Sequence, residues 1–142
     1  MIRGLITGIV IGISMYLIGC ILLAYQANAR TILLNETNTI NFIGEVNDRS
    51  TKTVKKEISR LDIARGNKKY PLYLVIDSPG GSIHAGNRFL DYVKTVKNLH
   101  TVTIFAASMA AGFVQQLPGK RYVVDSGIFM FHRASGGFQG IQ

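Results

Sequence analysis

Short apolar runs alternate with longer amphipathic segments along most of the chain, and this pattern predicts strands and helices in turn. Runs that suit buried strands occur at residues 40–46, 72–76 and 101–106. Between the runs, apolar residues recur at helical spacing: Val54, Ile58 and Leu61 in a first helix, and Ile83, Phe89, Leu90, Val93 and Val96 in a second. A third helix should follow Ser108, and later strands are expected at 121–124 and 128–132. The order β-α-β-α-β-α-β-β predicts an α/β fold with a mostly parallel sheet flanked by helices, joined by right-handed crossovers.

The helix ends are also marked in the sequence. Asn47-Asp48 offers an N-cap for a first helix of about 16 residues, and Gly66 offers a stop. Ser82 is expected to cap the second helix. Sites in parallel sheets form at the carboxyl ends of strands, so the residues that follow the second and third strands are the candidates for chemistry.

The N-terminal part differs from the rest, because residues 4–25 contain no charged side chain. Such a segment is long enough to span a bilayer as an N-terminal hydrophobic helix. Three alternatives are an uncleaved anchor, a signal peptide cleaved after Ala27-Asn28-Ala29, and a lipoprotein signal at Cys20. Arg3 favours an N-in orientation, so we expect the following domain on the non-cytoplasmic side, membrane-anchored or exported. The expected organisation is a leader at 1–29, a polar linker at 30–39 and a domain at 40–142.

Charge and cysteine content exclude several classes of function. The formal net charge is +8, and Arg3 accounts for one unit of it, which leaves +7 for residues 30–142. The basic residues are scattered and do not alternate with aromatic residues, so we expect no nucleic-acid interface. Attraction to an anionic membrane surface is a milder interpretation of the same charge. The single cysteine lies in the leader, which excludes a disulfide framework or a cysteine-based zinc site in the domain. We expect no metal and no cofactor.

Three features of the domain suggest a serine hydrolase. Ser108 lies at a strand-to-helix junction, where unpaired N–H groups and the helix dipole can stabilise an attacking hydroxyl and a developing oxyanion. His132 ends a later strand-like segment. The turn Ser78-Pro79-Gly80-Gly81 precedes a predicted helix and can present N–H groups to a carbonyl oxygen. Each feature alone is weak evidence, but their ordered combination is specific.

This combination resembles the proteolytic subunit of the Clp protease, in the fold group shared with crotonases. The resemblance runs continuously over about residues 40–142, and the matching stretches are Ile43–Asp48, Leu74–Ser82, Ala106–Ala111, Gly119–Arg121, Met130–Arg133 and Gly136–Gly140. It implies a serine endopeptidase in which Ser108 is the nucleophile and His132 the general base. It also implies that the N–H groups of Gly81 and Met109 form the oxyanion hole, and that Gly80-Gly81 lines the cleft for extended peptides or unfolded proteins.

The sequence departs from that family in two ways. The family's acidic triad member and the long helix that joins its rings come after the histidine, on a segment absent from this chain, and Asp77 and Asp125 are poor substitutes. The chain therefore looks cut short, and we expect its own activity to be feeble, with a ring-shaped homo-oligomer only if the C-terminal part exists. The family's usual ATPase partner is not expected for an exported domain.

Other functions remain open on the sequence alone. The absent acid suggests a catalytically impaired Clp-like binding or assembly protein as the main alternative. A Ser-Lys peptidase could use Lys120 or Lys94, although the Met-Phe-His-Arg run favours a Ser-His pair. An acyl-CoA enzyme of the crotonase type is a third alternative, which the leader and the Ser108–His132 combination disfavour.

Overall fold

A computed structural model describes residues 32–133. The elements follow one another as β1 (Thr39–Ile43), α1 (Asp48–Ala64), β2 (Leu72–Ser78), α2 (Ile83–Val93), β3 (Leu99–Ala107), α3 (Met109–Gln116) and β4 (Arg121–Met130). The strands form a sheet in the order β1-β2-β3-β4, and every neighbouring pair is parallel. The predicted α/β class and the parallel sheet are confirmed.

The first helix begins where the sequence predicts it, because Asn47 closes a reciprocal cap. The Asn47 side chain accepts the Ser50 N–H at 2.9 Å, and Ser50 Oγ accepts the Asn47 N–H at 3.0 Å. The buried residues of α1 are Thr51, Val54, Ile58 and Leu61. Ser82 caps α2 by accepting the Ala85 N–H at 3.2 Å, as its position also predicted.

The hydrophobic core lies between one face of the sheet and the helices. Ile40 and Phe42 of β1 and Leu74 of β2 are almost completely buried in it. Phe42 makes edge contacts with Phe89 of α2 and Phe113 of α3, at ring-centroid distances of 5.3 Å and 5.5 Å. This packing fixes the helices over the strands, and so it also fixes the turns at the carboxyl ends of the strands.

The opposite face of the sheet carries a small aromatic group. Tyr73 alternates with core residues along β2, so its side chain points away from the helices. Its ring centroid lies 5.7 Å from that of His100 and 6.2 Å from that of Tyr122. These contacts join β2, β3 and β4 across the face that the described helices do not cover.

The last strand corrects the predicted order of elements. Two strands were expected at 121–124 and 128–132, but β4 is one continuous strand that ends at Met130. Its register with β3 jumps, because Thr103 pairs with Val123 while Phe105 pairs with Ile128. Asp125 and its neighbours form this irregularity within a strand and not the turn that the sequence suggested. His132 lies beyond the end of the strand.

The predicted leader at 1–29 and its apolar segment at 4–25 lie outside the described residues, as does the glycine-rich stretch at 136–140. Between residues 32 and 133, no helix combines the length and the apolar character needed to cross a membrane. The end of the predicted polar linker is described. It forms a turn in which Asn38 Oδ1 accepts the Asn35 N–H at 2.9 Å.

Candidate active site

Ser108 occupies the junction between β3 and α3, as the sequence predicted. Its N–H donates to the Met130 carbonyl oxygen at 2.8 Å, and its own carbonyl oxygen accepts the Gly112 N–H at 3.2 Å. Ser108 is the N-cap residue of α3, yet its side chain makes no capping hydrogen bond. Within residues 32–133 no hydrogen bond engages Ser108 Oγ, so its lone pairs are available at the positive end of a helix.

The backbone of Ser108 is strained. Its φ is 52° and its ψ is −121°, a region that residues other than glycine rarely adopt. The hydrogen bond to Met130 and the helix that begins at Met109 hold it there. Such strain clusters at functional sites, because it directs one side chain out of the regular structure at a sharp turn.

Gly80 packs directly against this junction. Its φ is +89°, and a Cβ on it would lie 2.5 Å from the Ala107 carbonyl oxygen and 2.8 Å from Ser108 Cβ. The same atom would lie 2.9 Å from the Met109 nitrogen. Position 80 therefore has no room for a side chain, and the glycine turn and the serine form one contiguous site.

Val46 pairs with Gly81, the residue that follows Gly80 in the turn. Its N–H donates to the Gly80 carbonyl oxygen at 2.7 Å, and its carbonyl oxygen accepts the Ser82 N–H at 2.8 Å. These bonds place Gly81 opposite Val46 in a parallel bridge. In that pairing the N–H and C=O of Gly81 itself point away from Val46. Gly81 is exposed, so its backbone groups face an open edge.

Two N–H groups are thus available near Ser108. Met109 is the first residue of α3, so its N–H has no partner one turn earlier in the helix. Within the described chain the Gly81 N–H makes no backbone hydrogen bond. Gly80 contacts the Ser108–Met109 junction and Gly81 directly follows it, which brings both donors to the same end of the sheet as the hydroxyl.

His132 lies at the same end of the sheet, one strand away from the serine. Ala107 pairs with Met130 across β3 and β4, and His132 comes two residues after Met130, or roughly 7 Å farther along an extended chain. Its Nδ1 lies 2.7 Å from the Arg133 carbonyl oxygen, to which it donates. No hydrogen bond joins His132 to Ser108 in the described region. The structure therefore brings Ser108, Met109, Gly80 and Gly81 together and leaves the pairing with His132 a prediction.

Comparisons with known proteins show the family of the chain. The model of the Clp protease family matches residues 24–142. The chain belongs to the Clp protease family. Among solved structures, the fold is similar to the ClpP1 N165D mutant from Listeria monocytogenes, with a TM-score of 0.63 and 25% sequence identity. That match covers 70% of this chain and 58% of the Listeria chain, so the chain spans less than two thirds of that protein's length.

The described part of this Clp protease family chain offers no carboxylate partner for His132. Asp77 lies half-buried at the end of β2, and Asp125 is exposed on β4. Neither forms an ion pair or a side-chain hydrogen bond with His132 among residues 32–133. That neither carboxylate serves as a triad acid stays a prediction.

The Ser-Lys alternative is wrong for both lysines that the sequence offered. The Lys120 carbonyl oxygen accepts the Thr101 N–H at 3.0 Å, so Lys120 lies at the amino end of β3. Ser108 lies at the carboxyl end of β3, seven residues after Thr101, which corresponds to roughly 20 Å along the strand. Lys94 lines the same cavity as Lys120, so it too is far from the hydroxyl.

Two supports of the site were not foreseen from the sequence. One is the Met130 carbonyl oxygen, which fixes the strained N–H of Ser108. The other is Val46, which pins the glycine turn. Val46 was expected to end the first strand at 40–46, but β1 ends at Ile43, and nothing in the sequence indicates that Val46 would pair with Gly81.

Proposed function

We propose that the protein is a serine endopeptidase that hydrolyses peptide bonds in extended peptides or unfolded proteins. Membership of the Clp protease family supports a serine-protease type of function. The observation on which the proposal depends is the contact of the Gly80 turn with the strained Ser108 junction, which gathers a free hydroxyl and two backbone donors. Acyl transfer requires such a grouping of nucleophile and oxyanion donors.

In the proposed reaction Ser108 Oγ attacks the peptide carbonyl carbon while His132 accepts the hydroxyl proton. The tetrahedral oxyanion is stabilised by the N–H groups of Gly81 and Met109, each of which contributes about 3 kcal/mol to lowering the barrier. His132 then gives the proton to the leaving amine, and water attacks the acyl-enzyme in a second, equivalent cycle.

The hydrogen bond of His132 supports its role as a base. A carbonyl oxygen only accepts, so the contact with Arg133 places the proton on Nδ1 in the neutral ring. Nε2 is then unprotonated and can receive the proton of a hydroxyl, as the mechanism requires. The proposal requires the His132 ring to rotate so that Nε2 reaches Ser108, and the adjacent strand ends of the two residues support such a pairing.

The open edge of Gly81 suggests how a substrate is held. Val46 occupies one side of the Gly80–Ser82 segment, and the backbone groups of Gly81 point to the other side. An extended peptide that pairs with this edge would gain main-chain hydrogen bonds irrespective of its side chains. Its scissile carbonyl would then lie near the Met109 N–H, at the N-terminus of α3.

Labelling with a fluorophosphonate probe tests the nucleophile. The longest natural form of the protein should react, Ser108→Ala should abolish labelling, and Ser126→Ala, at an exposed serine of β4, should leave it unchanged. His132→Gln should slow labelling by about 10³-fold or more, whereas His84→Gln, at an exposed position in α2, should not. Labelling that survives Ser108→Ala would refute the assignment.

The principal alternative is a Clp-like protein that binds or assembles without catalysis, because the described residues provide no carboxylate for His132. In that case the probe would label neither the protein nor its variants, while light scattering would show rings or association with intact homologues. A ring-shaped assembly also remains part of the enzyme proposal.

We further propose a non-cytoplasmic location, with membrane attachment through residues 4–25. The support is the uncharged segment and the single arginine before it. Digestion of the domain by an added protease in intact spheroplasts, with a cytoplasmic marker left intact, is the expected result. Protection of the domain until the membrane is lysed would contradict the proposed orientation.

A further inference from the structure

A cavity of about 360 Å³ lies at the amino ends of β3 and β4, at the opposite end of the sheet from Ser108. Its wall includes Lys94 and Lys97, which follow α2, and Lys120, which precedes β4. His100 of β3 completes the basic lining, and no aspartate or glutamate of the described chain lines it. We call it the lysine cavity. Seven residues of β3, Thr101–Ala107, separate it from Ser108, a distance of roughly 20–25 Å, so it is not part of the candidate active site.

The positive charges of the lysine cavity are not neutralised by the described protein. The ion pairs between residues 32 and 133 involve Arg60, Arg65, Lys68 and Arg88, and none involves a lysine of the cavity. Among the described residues, the one hydrogen bond of these ammonium groups to a side chain is from Lys94 Nζ to Gln116 Oε1, at 3.4 Å. The three lysines are exposed and border the same cavity, and an anion bound there would offset the repulsion between their charges.

The dipole of the preceding helix does not account for this clustering. Lysines often lie at helix C-termini, where they interact with unpaired carbonyl oxygens. At the end of α2, however, the carbonyl oxygens of Leu90, Tyr92 and Val93 already accept backbone N–H groups. Lys120 belongs to a different element and cannot be explained by α2 at all.

His100 adds a directed donor to the cavity. Its Nδ1 accepts the Lys120 N–H at 3.1 Å, so in the neutral ring the proton is on Nε2, which can donate to an anion. Burial, and to a smaller extent the charge of Lys120, lower the pKa of His100. Gly119 makes this arrangement possible, because a Cβ there would lie within 3 Å of the Leu99 carbonyl group and of His100 Nδ1.

We propose that the lysine cavity is a binding site for a phosphoryl group. Three flexible ammonium groups and one imidazole N–H suit a compact anion with several acceptor oxygens, and the volume admits one or two linked phosphates. The phosphoryl group belongs either to a small soluble phosphate or to a lipid headgroup, because both present the same oxygens. The two sources are distinguished by the experiment.

The soluble arm uses pyrophosphate, titrated calorimetrically into the full chain at low salt. The triple variant Lys94→Gln, Lys97→Gln and Lys120→Gln should bind at least about tenfold more weakly than the unaltered protein. The matched control replaces Lys52, Lys56 and Lys69, which are exposed elsewhere, with glutamine and has the same net charge. It should bind as the unaltered protein does. Equal weakening in both triple variants would mean attraction by net charge alone and would overturn the proposal.

A second readout follows His100 directly by nuclear magnetic resonance. A bound phosphoryl group should raise the pKa of the His100 ring and leave the rings of His84 and His132 unaffected, with assignment from His100→Gln. The lipid experiment repeats this measurement of the His100 pKa with phosphatidylglycerol bicelles and compares it with phosphatidylcholine bicelles. A response of His100 to phosphatidylglycerol alone, lost in the cavity triple variant, would identify a lipid headgroup. If His100 responds to neither pyrophosphate nor phosphatidylglycerol, the proposal is wrong.

Discussion

Replacing Gly80 with alanine should both destabilise the protein and disable Ser108. The backbone conformation at φ +89° costs a residue with a side chain about 1–2 kcal/mol. The new Cβ would also lie 2.5 Å from the Ala107 carbonyl oxygen and 2.8 Å from Ser108 Cβ, and relieving such overpacking typically costs a further ~1–3 kcal/mol. We therefore expect a loss of roughly 2–5 kcal/mol in the free energy of unfolding, measured by urea denaturation.

Gly44 provides a matched control, because its φ of +84° is nearly the same but a Cβ there would meet no atom within 4 Å. Gly44→Ala should lose only the conformational part, about 1–2 kcal/mol, and should keep the labelling of Ser108 by a fluorophosphonate. Gly80→Ala should label much more slowly, because the displaced turn shifts the Ser108–Met109 junction. Equal stability and equal labelling of the two variants would refute the packing argument.

Three further predictions concern stability, each measured by urea denaturation. Asn47→Ala removes the acceptor that caps α1 and should cost about 1 kcal/mol; an unchanged midpoint would contradict the cap. Burial raises the pKa of Asp62, but its hydrogen bonds with Lys68 and Arg65 outweigh burial and hold that pKa below the ordinary 3.8. Ionised Asp62 therefore stabilises the folded protein above pH 3.8, and this stabilisation is lost as the pH falls through the folded-state pKa. In Asp62→Asn the free energy of unfolding should depend less on pH in this range. Thr103 is fully buried and its hydroxyl has no hydrogen-bond partner in the described chain, so Thr103→Val should be neutral or stabilise by up to about 1 kcal/mol; a clear loss of stability would contradict this.

The elements that the sequence predicted well are those in which local signals and burial agree. The first helix has a polar cap at Asn47 and apolar residues at helical spacing, and both signals are local. The continuous apolar run of β2 is typical of a central strand, which is what the sheet order shows. These features need no knowledge of distant contacts.

Prediction failed where a distant contact overrides the local signal. Asp125-Ser126-Gly127 is typical of a turn, so one strand was taken for two. Pairing with β3 keeps this stretch within β4, and the surplus residues are absorbed by the register jump between Val123 and Ile128. Tertiary hydrogen bonding decides such a segment, and a sequence of this length does not reveal the partner strand.

The candidate site also contains one part that local sequence signals predicted and one part that they could not predict. The positions of Ser108 and the glycine turn followed from the rule that parallel strands present their carboxyl ends together. The contact between Gly80 and Ser108 then needed only adjacent strands. The pairing with His132 depends on side-chain rotation beyond the end of β4, and neither periodicity nor spacing determines that rotation.

The left-handed backbone conformation of Ser108 destabilises the fold, but the proposed reaction needs a serine at this position. Glycine at this position would relax the main chain and remove the oxygen of the proposed nucleophile, so a library screened for thermal resistance alone should enrich glycine there among its survivors. Inactive descendants of this protein would then be recognisable by a gain in robustness at residue 108, long before the rest of the cleft decayed.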